Sequence, residues 1–357
     1  MPPRPTSRAL AAAVAAVLVL ASCGGGEETS KKERPTTTEA PTTTAEPTTT
    51  VPNAPPPTAP LTGVVVNEQQ ALRVTRPALA IKIDNTPEAL PQWGVNNADI
   101  VYEIQVEGVS RLMAIFHSDD AAQVGPTRSA RYSDPPILAM FGRPIFGWSG
   151  ANKGVTKAVK AASYINNADA ITAPKEYKRT RARSAPHNLL TSTTGLYSHA
   201  KPDEGTPPQQ FQYLAPGEGN PTASPLAGAN VQVGTTPSSW VWDAAAGVYK
   251  RWEYRKAHGT DAGQVVSSNV VLLATRYSSP KSPIAQTTGA GNALVLTGGV
   301  AVPGVWSRAK ESDTFTLTAM GGAPIKLTPG RTWVELADHP WGPIAPDVAA
   351  GMLAGGK

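Results

Sequence analysis

From Leu61 to the C-terminus, glycine or proline cuts the chain every few residues into short apolar runs. Punctuation of that density leaves room for strands and brief helices but not for a long helical bundle. Proline (35) and glycine (32) make up 67 of the 357 residues, about 19%, against a usual share of about 12%. A single cysteine excludes an internal disulfide framework and a Cys-based zinc site. The fold therefore has to rest on a buried apolar core, for which 40% hydrophobic residues suffice.

The N-terminus sets the compartment. Arg4 and Arg8 precede an unbroken apolar run of 13 residues, Ala9 to Ala21. That length suits a signal peptide and falls short of the roughly 20 residues a spanning helix needs. The run ends in Leu20-Ala21-Ser22-Cys23, which resembles the bacterial lipobox. Residues 1–22 thus read as a lipoprotein signal peptide and Cys23 as the lipidation site. Each buried acyl CH₂ contributes about 0.8 kcal/mol, so a diacylglycerol would hold the chain to the outer face of the cell membrane.

Residues 23–60 repeat Pro-Thr-Thr-Thr at Pro35, Pro41 and Pro47 and become proline-rich from Pro52. With almost nothing to bury they cannot offset their ordering entropy, and a disordered, extended tether is expected. At up to about 3.1 Å per residue it would reach on the order of 110 Å. Beyond it stand 27 basic and 22 acidic residues. That positive excess suits contact with anionic envelope polymers, and the compartment argues against nucleic acid.

Residues 61–228 read as an α/β or α+β lobe with a mixed sheet. Leu79 to Asp84 and Ile100 to Val106 alternate as strands, the second pointing Glu103 and Gln105 away from its apolar face. Arg111 to His117 follows through a hairpin loop, and Pro144 to Ser149 is a further strand. Val155, Ala158, Val159 and Ala162 mark one face of a helix, and another is expected between Asp134 and Phe141. Pro202 to Gly228 looks irregular. Residues 229–345 form a second lobe that is mainly β, and residues 346–357 form a tail.

Two basic segments stand out. In Val124-Gly125-Pro126-Thr127-Arg128-Ser129-Ala130-Arg131, a helix beginning at Ser129 would put Arg128 and Arg131 on one side of an anion-binding terminus. The alternative is an ion-pair cluster with Asp84, Glu103 or Asp134. The second segment carries Arg179, Arg181 and Arg183 ahead of Pro186-His187-Asn188. His187 is the histidine best placed for acid–base work, with Glu103 and Asp134 as candidate carboxylates. No spacing suggests a metal, and no cofactor motif occurs. The eight tryptophans fit core packing better than sugar stacking.

The chain resembles the YerB-like lipoproteins, whose halves are the N- and C-terminal parts of domain of unknown function 3048. The resemblance lies in Pro60-Leu61-Thr62-Gly63, Ala80-Ile81-Lys82-Ile83-Asp84-Asn85, Ala98-Asp99-Ile100-Val101-Tyr102-Glu103, the Val124–Arg131 segment and Pro186-His187-Asn188-Leu189. Gly304-Val305-Trp306 and Pro329-Gly330-Arg331-Thr332-Trp333-Val334-Glu335 extend it into the second half. It implies an extracytoplasmic lipoprotein with the two lobes described and brings no catalytic residues. The functional expectation is an envelope lipoprotein binding an anionic wall component through Arg128, Arg131, Arg179, Arg181 and Arg183. Alternatives are a wall hydrolase or transferase using Glu103, Asp134 and His187, and a scaffold for a partner protein.

Overall fold

The alternating runs at residues 79–84 and 100–105 enter one sheet, on either side of the strand that follows them. The computed structural model describes residues 57–279 and 281–355; the signal peptide, Cys23 and nearly all of the tether lie outside them. β1 (Leu79–Asp84) and β2 (Ile100–Gln105) both pair antiparallel with β3 (Ser110–Phe116). β1 continues parallel to β4 (Ile145–Gly147), which pairs with β5 (Asn166–Asn167). Helix α1 (Asp134–Leu138) begins on the double proline, and α2 (Lys153–Ala161) buries Val155 and Val159 behind an Asn152 cap.

The second half supplies β6 (Gly228–Val233), β7 (Thr236–Asp243) and β8 (Val248–Glu253), an antiparallel meander at the centre of a six-stranded sheet. It also supplies β9 (Asn269–Ala274), β10 (Gly289–Thr297), β11 (Val300–Arg308), β12 (Thr316–Ala319) and β13 (Thr332–Ala337). These five join the first-half strands in one eleven-stranded sheet, ten of them ordered β12-β11-β10-β9-β13-β2-β3-β1-β4-β5 and the eleventh, Ser224–Pro225, pairing with β11 off this path. β13 is the join. It runs parallel to β2 on one side and to β9 on the other, with Thr332 beside both Ile100 and Asn269. All six of its residues are buried, as expected for a strand covered on both faces.

The architecture is α+β with sheet predominating. Ile100, Tyr102, Ile104, Val334 and Leu336 face one core, while Val101, Trp333 and Ala337 face a second that includes Ala229, Val231, Trp240 and Tyr249 of the smaller sheet. Glu103 does point away from the apolar face of β2, but into this second core rather than into water. The smaller sheet covers it, which the alternation of β2 alone does not reveal. Most tryptophans are core: Trp148, Trp240 and Trp333 are at most 2% exposed, and none of the eight ranks among the exposed large side chains. Pro202 to Gly228 is irregular and mostly exposed, anchored by Phe211 in the first core.

His117, the residue after β3, is fully buried. Its Nε2 lies 3.0 Å from the Arg76 carbonyl, and Nδ1 has no partner. Burial pushes its pKa down to about 4. The unfolded state therefore binds more protons between about pH 6.5 and 4. This contribution to stability is full above pH 6.5 and is lost as pH falls, by about 3 kcal/mol in total. Asp99, pushed up to about 6 by its own burial, acts with the opposite sign. The readout is therefore a comparison: urea unfolding from pH 7 to 4 should show a flatter acid-side loss for His117→Gln than for the wild type.

Candidate functional site

Asp84 is the last residue of β1, at the point where its neighbour β4 has already left the sheet. The segment Pro126–Arg128 takes the vacated place: Asp84 N–H donates to the Pro126 carbonyl at 2.9 Å and Arg128 N–H to Lys82 at 2.9 Å. Gly125 makes this possible. Its φ is +147°, and a Cβ there would lie 2.8 Å from the Thr127 nitrogen and 2.9 Å from the Leu189 carbonyl. The backbone from Arg128 to Ala130 is extended and paired with residues 149–150. No helix begins at Ser129; the flanking N–H groups of Arg128 and Ala130 donate to the Lys82 and Gly150 carbonyls, and α1 starts only at Asp134.

Lys82 and Asp84 share one face of β1, and Arg111 at the start of β3 stands directly opposite Asp84. Asp84 is 1% exposed, and its Oδ2 gathers a guanidinium and an imidazole. Arg128 Nε lies 3.2 Å away and His187 Nδ1 2.7 Å away, with about a fifth of each side chain open to solvent. The Thr86 hydroxyl is 3.2 Å from the same imidazole nitrogen. His187 Nε2 has no partner among the described residues and is not sealed from solvent.

Around this pair stand further charges. Arg131 Nε donates to Glu107 at 2.7 Å. The pKa of Arg111 is pushed down to about 10, by burial first and then by the like charges of Arg131 and Arg128. Exposed Glu88 is held below the usual carboxylate range by its own backbone N–H first, then by the Thr86 hydroxyl and His187. Arg111 Nε, Arg128 Nε and Thr127 Oγ1 are buried without an aligned hydrogen-bond partner, so the close Arg128–Asp84 approach is Coulombic.

The structure divides the expected site residues. Arg128, Arg131 and His187 come together, joined by Asp84, Arg111 and Thr86, which were not singled out as site residues. Arg183 holds the loop before them by donating to the Ala89 and Pro91 carbonyls at 2.5 Å, over the Trp93 ring. Arg179 donates to the Asn188 side chain at 2.6 Å and lines a different groove of about 450 Å³ with Lys175 and Lys178. Arg181 is exposed. Neither candidate carboxylate reaches solvent. Asp134 is sealed on Lys82 at 2.7 Å, and Glu103 on Arg251 at 2.5 Å. Burial leaves them structural work with other cations, while the ion-pair alternative is met at Asp84, which pairs with Arg128.

Residues 61–206 match the family described as protein of unknown function (DUF3048) N-terminal domain, and residues 229–334 match its C-terminal domain. The chain belongs to the DUF3048 family. It is similar to "Putative lipoprotein YerB" of Bacillus subtilis (strain 168), 27% identical over 319 residues, 84% of this chain and 89% of that one. It is also similar to the crystal structure of YerB protein from Bacillus subtilis, with a TM-score of 0.67, 21% identity and 80% of this chain covered against 99% of the other. At that identity the solved structure speaks for the fold alone. The DUF3048 matches leave residues 207–228 unclaimed, within the irregular stretch. Asp84, Arg111, Arg128, Arg131 and His187 all fall in the N-terminal domain, while the C-terminal match reaches to residue 334, halfway along β13.

Proposed function

We propose that the chain is a lipoprotein tethered to the outer face of the cell membrane that binds an anionic cell-envelope component at the Asp84–His187 site. The lipobox-like run at Cys23 and similarity to a protein named as a lipoprotein support the anchoring. The observation that carries the binding is the convergence of Arg111, Arg128 and Arg131 beside the Asp84 carboxylate, with a fifth of the Arg128 side chain open to solvent. Guanidinium forks of this kind recognise phosphate and carboxylate groups. Arg179 and Arg181, further along the same loop, extend the positive field without sharing the pocket.

Isothermal titration with poly(glycerol phosphate) as the probe tests this. A charge-assisted hydrogen bond is worth about 1.5–3 kcal/mol, so Arg128→Ala and Arg131→Ala should each weaken binding about tenfold or more. Wild-type affinity should also fall with added salt. Unchanged affinity in both variants, with their folding intact, sinks the binding reading.

A further inference from the structure

We propose that His187 and Asp84 form an acid–base dyad that cleaves phosphodiester bonds by hydrolysis; this rests on the anion-binding reading and deepens it. The geometry is that of an oriented imidazole. Asp84 is almost wholly buried, fixed by its backbone in β1, and its Oδ2 lies 2.7 Å from His187 Nδ1. Its Oδ1 accepts the Thr86 N–H at 3.3 Å. The His187 backbone N–H donates to the Ser184 carbonyl at 3.0 Å. The neighbouring Asn188 is buried and tied to Arg179, Thr180 and Arg183. A proton on Nδ1, held by the carboxylate, leaves the Nε2 lone pair facing out, the arrangement by which a buried aspartate orients a histidine base.

The chemistry of the ligand follows from what surrounds that lone pair. Arg128 contacts the same carboxylate oxygen as His187, and Arg111 and Arg131 stand beside it. An anion that occupies such a site and gives the base something to do must carry both a charge and a bond that water can break. A carboxylate has no such bond, whereas a phosphodiester has both. The guanidiniums would also counter the charge that spreads over the non-bridging oxygens as phosphorus is attacked. In the step, a water oxygen bonds to phosphorus as His187 Nε2 takes its proton. The phosphorus–oxygen ester bond breaks, and the departing alkoxide takes a proton from solvent. The imidazolium then returns its own proton to solvent. The products are a phosphomonoester and an alcohol.

The test follows release of 4-nitrophenol from bis(4-nitrophenyl) phosphate and of phosphomonoester ends from poly(glycerol phosphate). The wild type should turn over at least one of them. His187→Gln should lower kcat by about 10²–10⁴ with far less change in KM. Asp84 is a positioning residue: Asp84→Asn should also lower kcat and move the pH profile of what remains, which a merely structural loss would not do. No turnover of either probe by wild-type protein that binds poly(glycerol phosphate) overturns the dyad and leaves the binding reading standing. Turnover that survives His187→Gln overturns it as well. Cleavage of 4-nitrophenyl acetate in place of the phosphodiesters overturns the substrate class. Turnover that persists while Arg128→Ala and Arg131→Ala bind normally brings down the binding reading alone.

Discussion

Replacing Arg251 with methionine should cost about 3–5 kcal/mol of folding free energy at pH 7, the range for removing one partner from a buried ion pair. Arg251 is fully buried in β8, yet it reaches across the sheet boundary to Glu103 of β2 at 2.5 Å and to Glu253 at 2.5 Å, with Glu335 of β13 at 3.9 Å. Burial opposes its charge, but the three carboxylates outweigh that and hold it protonated. The same burial pushes Glu253 and Glu335 up, with Glu103 adding to the push and Arg251 working against it.

Without the guanidinium, three sealed carboxyls must take up protons or lose their packing. The folded variant would bind more protons than its unfolded chain. Its stability should therefore rise as pH falls from 7 toward the ordinary carboxylate range, a slope that is weaker in the wild type. Glu335→Gln is the control. An amide in place of a carboxyl already pushed toward its neutral form keeps the acceptor for Trp240 Nε1, which donates to Glu335 at 2.8 Å, and should cost less than about 1 kcal/mol. Urea unfolding of both variants decides the matter; equal losses would mean that shape, and not charge, holds this cluster together. The candidate site should feel the difference too. Asn85 donates to Glu253 at 3.0 Å, and Gln92 donates to the Asp84 carbonyl at 2.7 Å while its Oε1 lies 2.7 Å from His258 Nε2.

These contacts mark where sequence reasoning reaches and where it stops. Signals carried within one element were legible: the strands at β1 to β3, the helical face of Val155 and Val159, and the proline-led start of α1. Those patterns report the local period and which side of an element is apolar. They do not report what covers the other side, so Glu103 reads as an outward residue when a second sheet lies over it. Nor do they place β13 between β2 and β9, because its partners stand far from it in the chain. The arginine motif was legible as chemistry but not as geometry. Residues 128–130 pair in extended form, and a helix was expected there. Asp84 and His187 lie 103 positions apart, and only the strand end that one occupies and the loop that carries the other bring them together. The one local hint was the alternation that puts Lys82 and Asp84 on the same face.

Lys82 shows the consequence of that alternation most sharply, because it is a fully buried lysine whose charge has one partner. Its Nζ lies 2.7 Å from Asp134, itself fully buried, and Asp134 Oδ2 also accepts the Arg131 N–H at 2.6 Å. Burial lowers the lysine pKa, the attraction of Asp134 opposes this, and the like charges of Arg111 and Arg131 lower it further. Lys82→Met should therefore cost about 3–5 kcal/mol, since it strands a carboxylate in the core. Lys82→Met/Asp134→Asn should recover most of that loss, because a neutral pair of similar volume avoids the desolvation of both charges. The pH dependence supplies a second reading. A lysine with a lowered folded pKa leaves the unfolded chain holding more protons as pH climbs toward the free value of 10.5, so the wild type gains stability there and both methionine variants lose that gain. A double variant as unstable as Lys82→Met alone would show that the loss comes from packing around the lysine stem. Recovery would show that the charge on Asp134 requires the lysine, and that the turn fixing Arg131 can be held by hydrogen bonding alone.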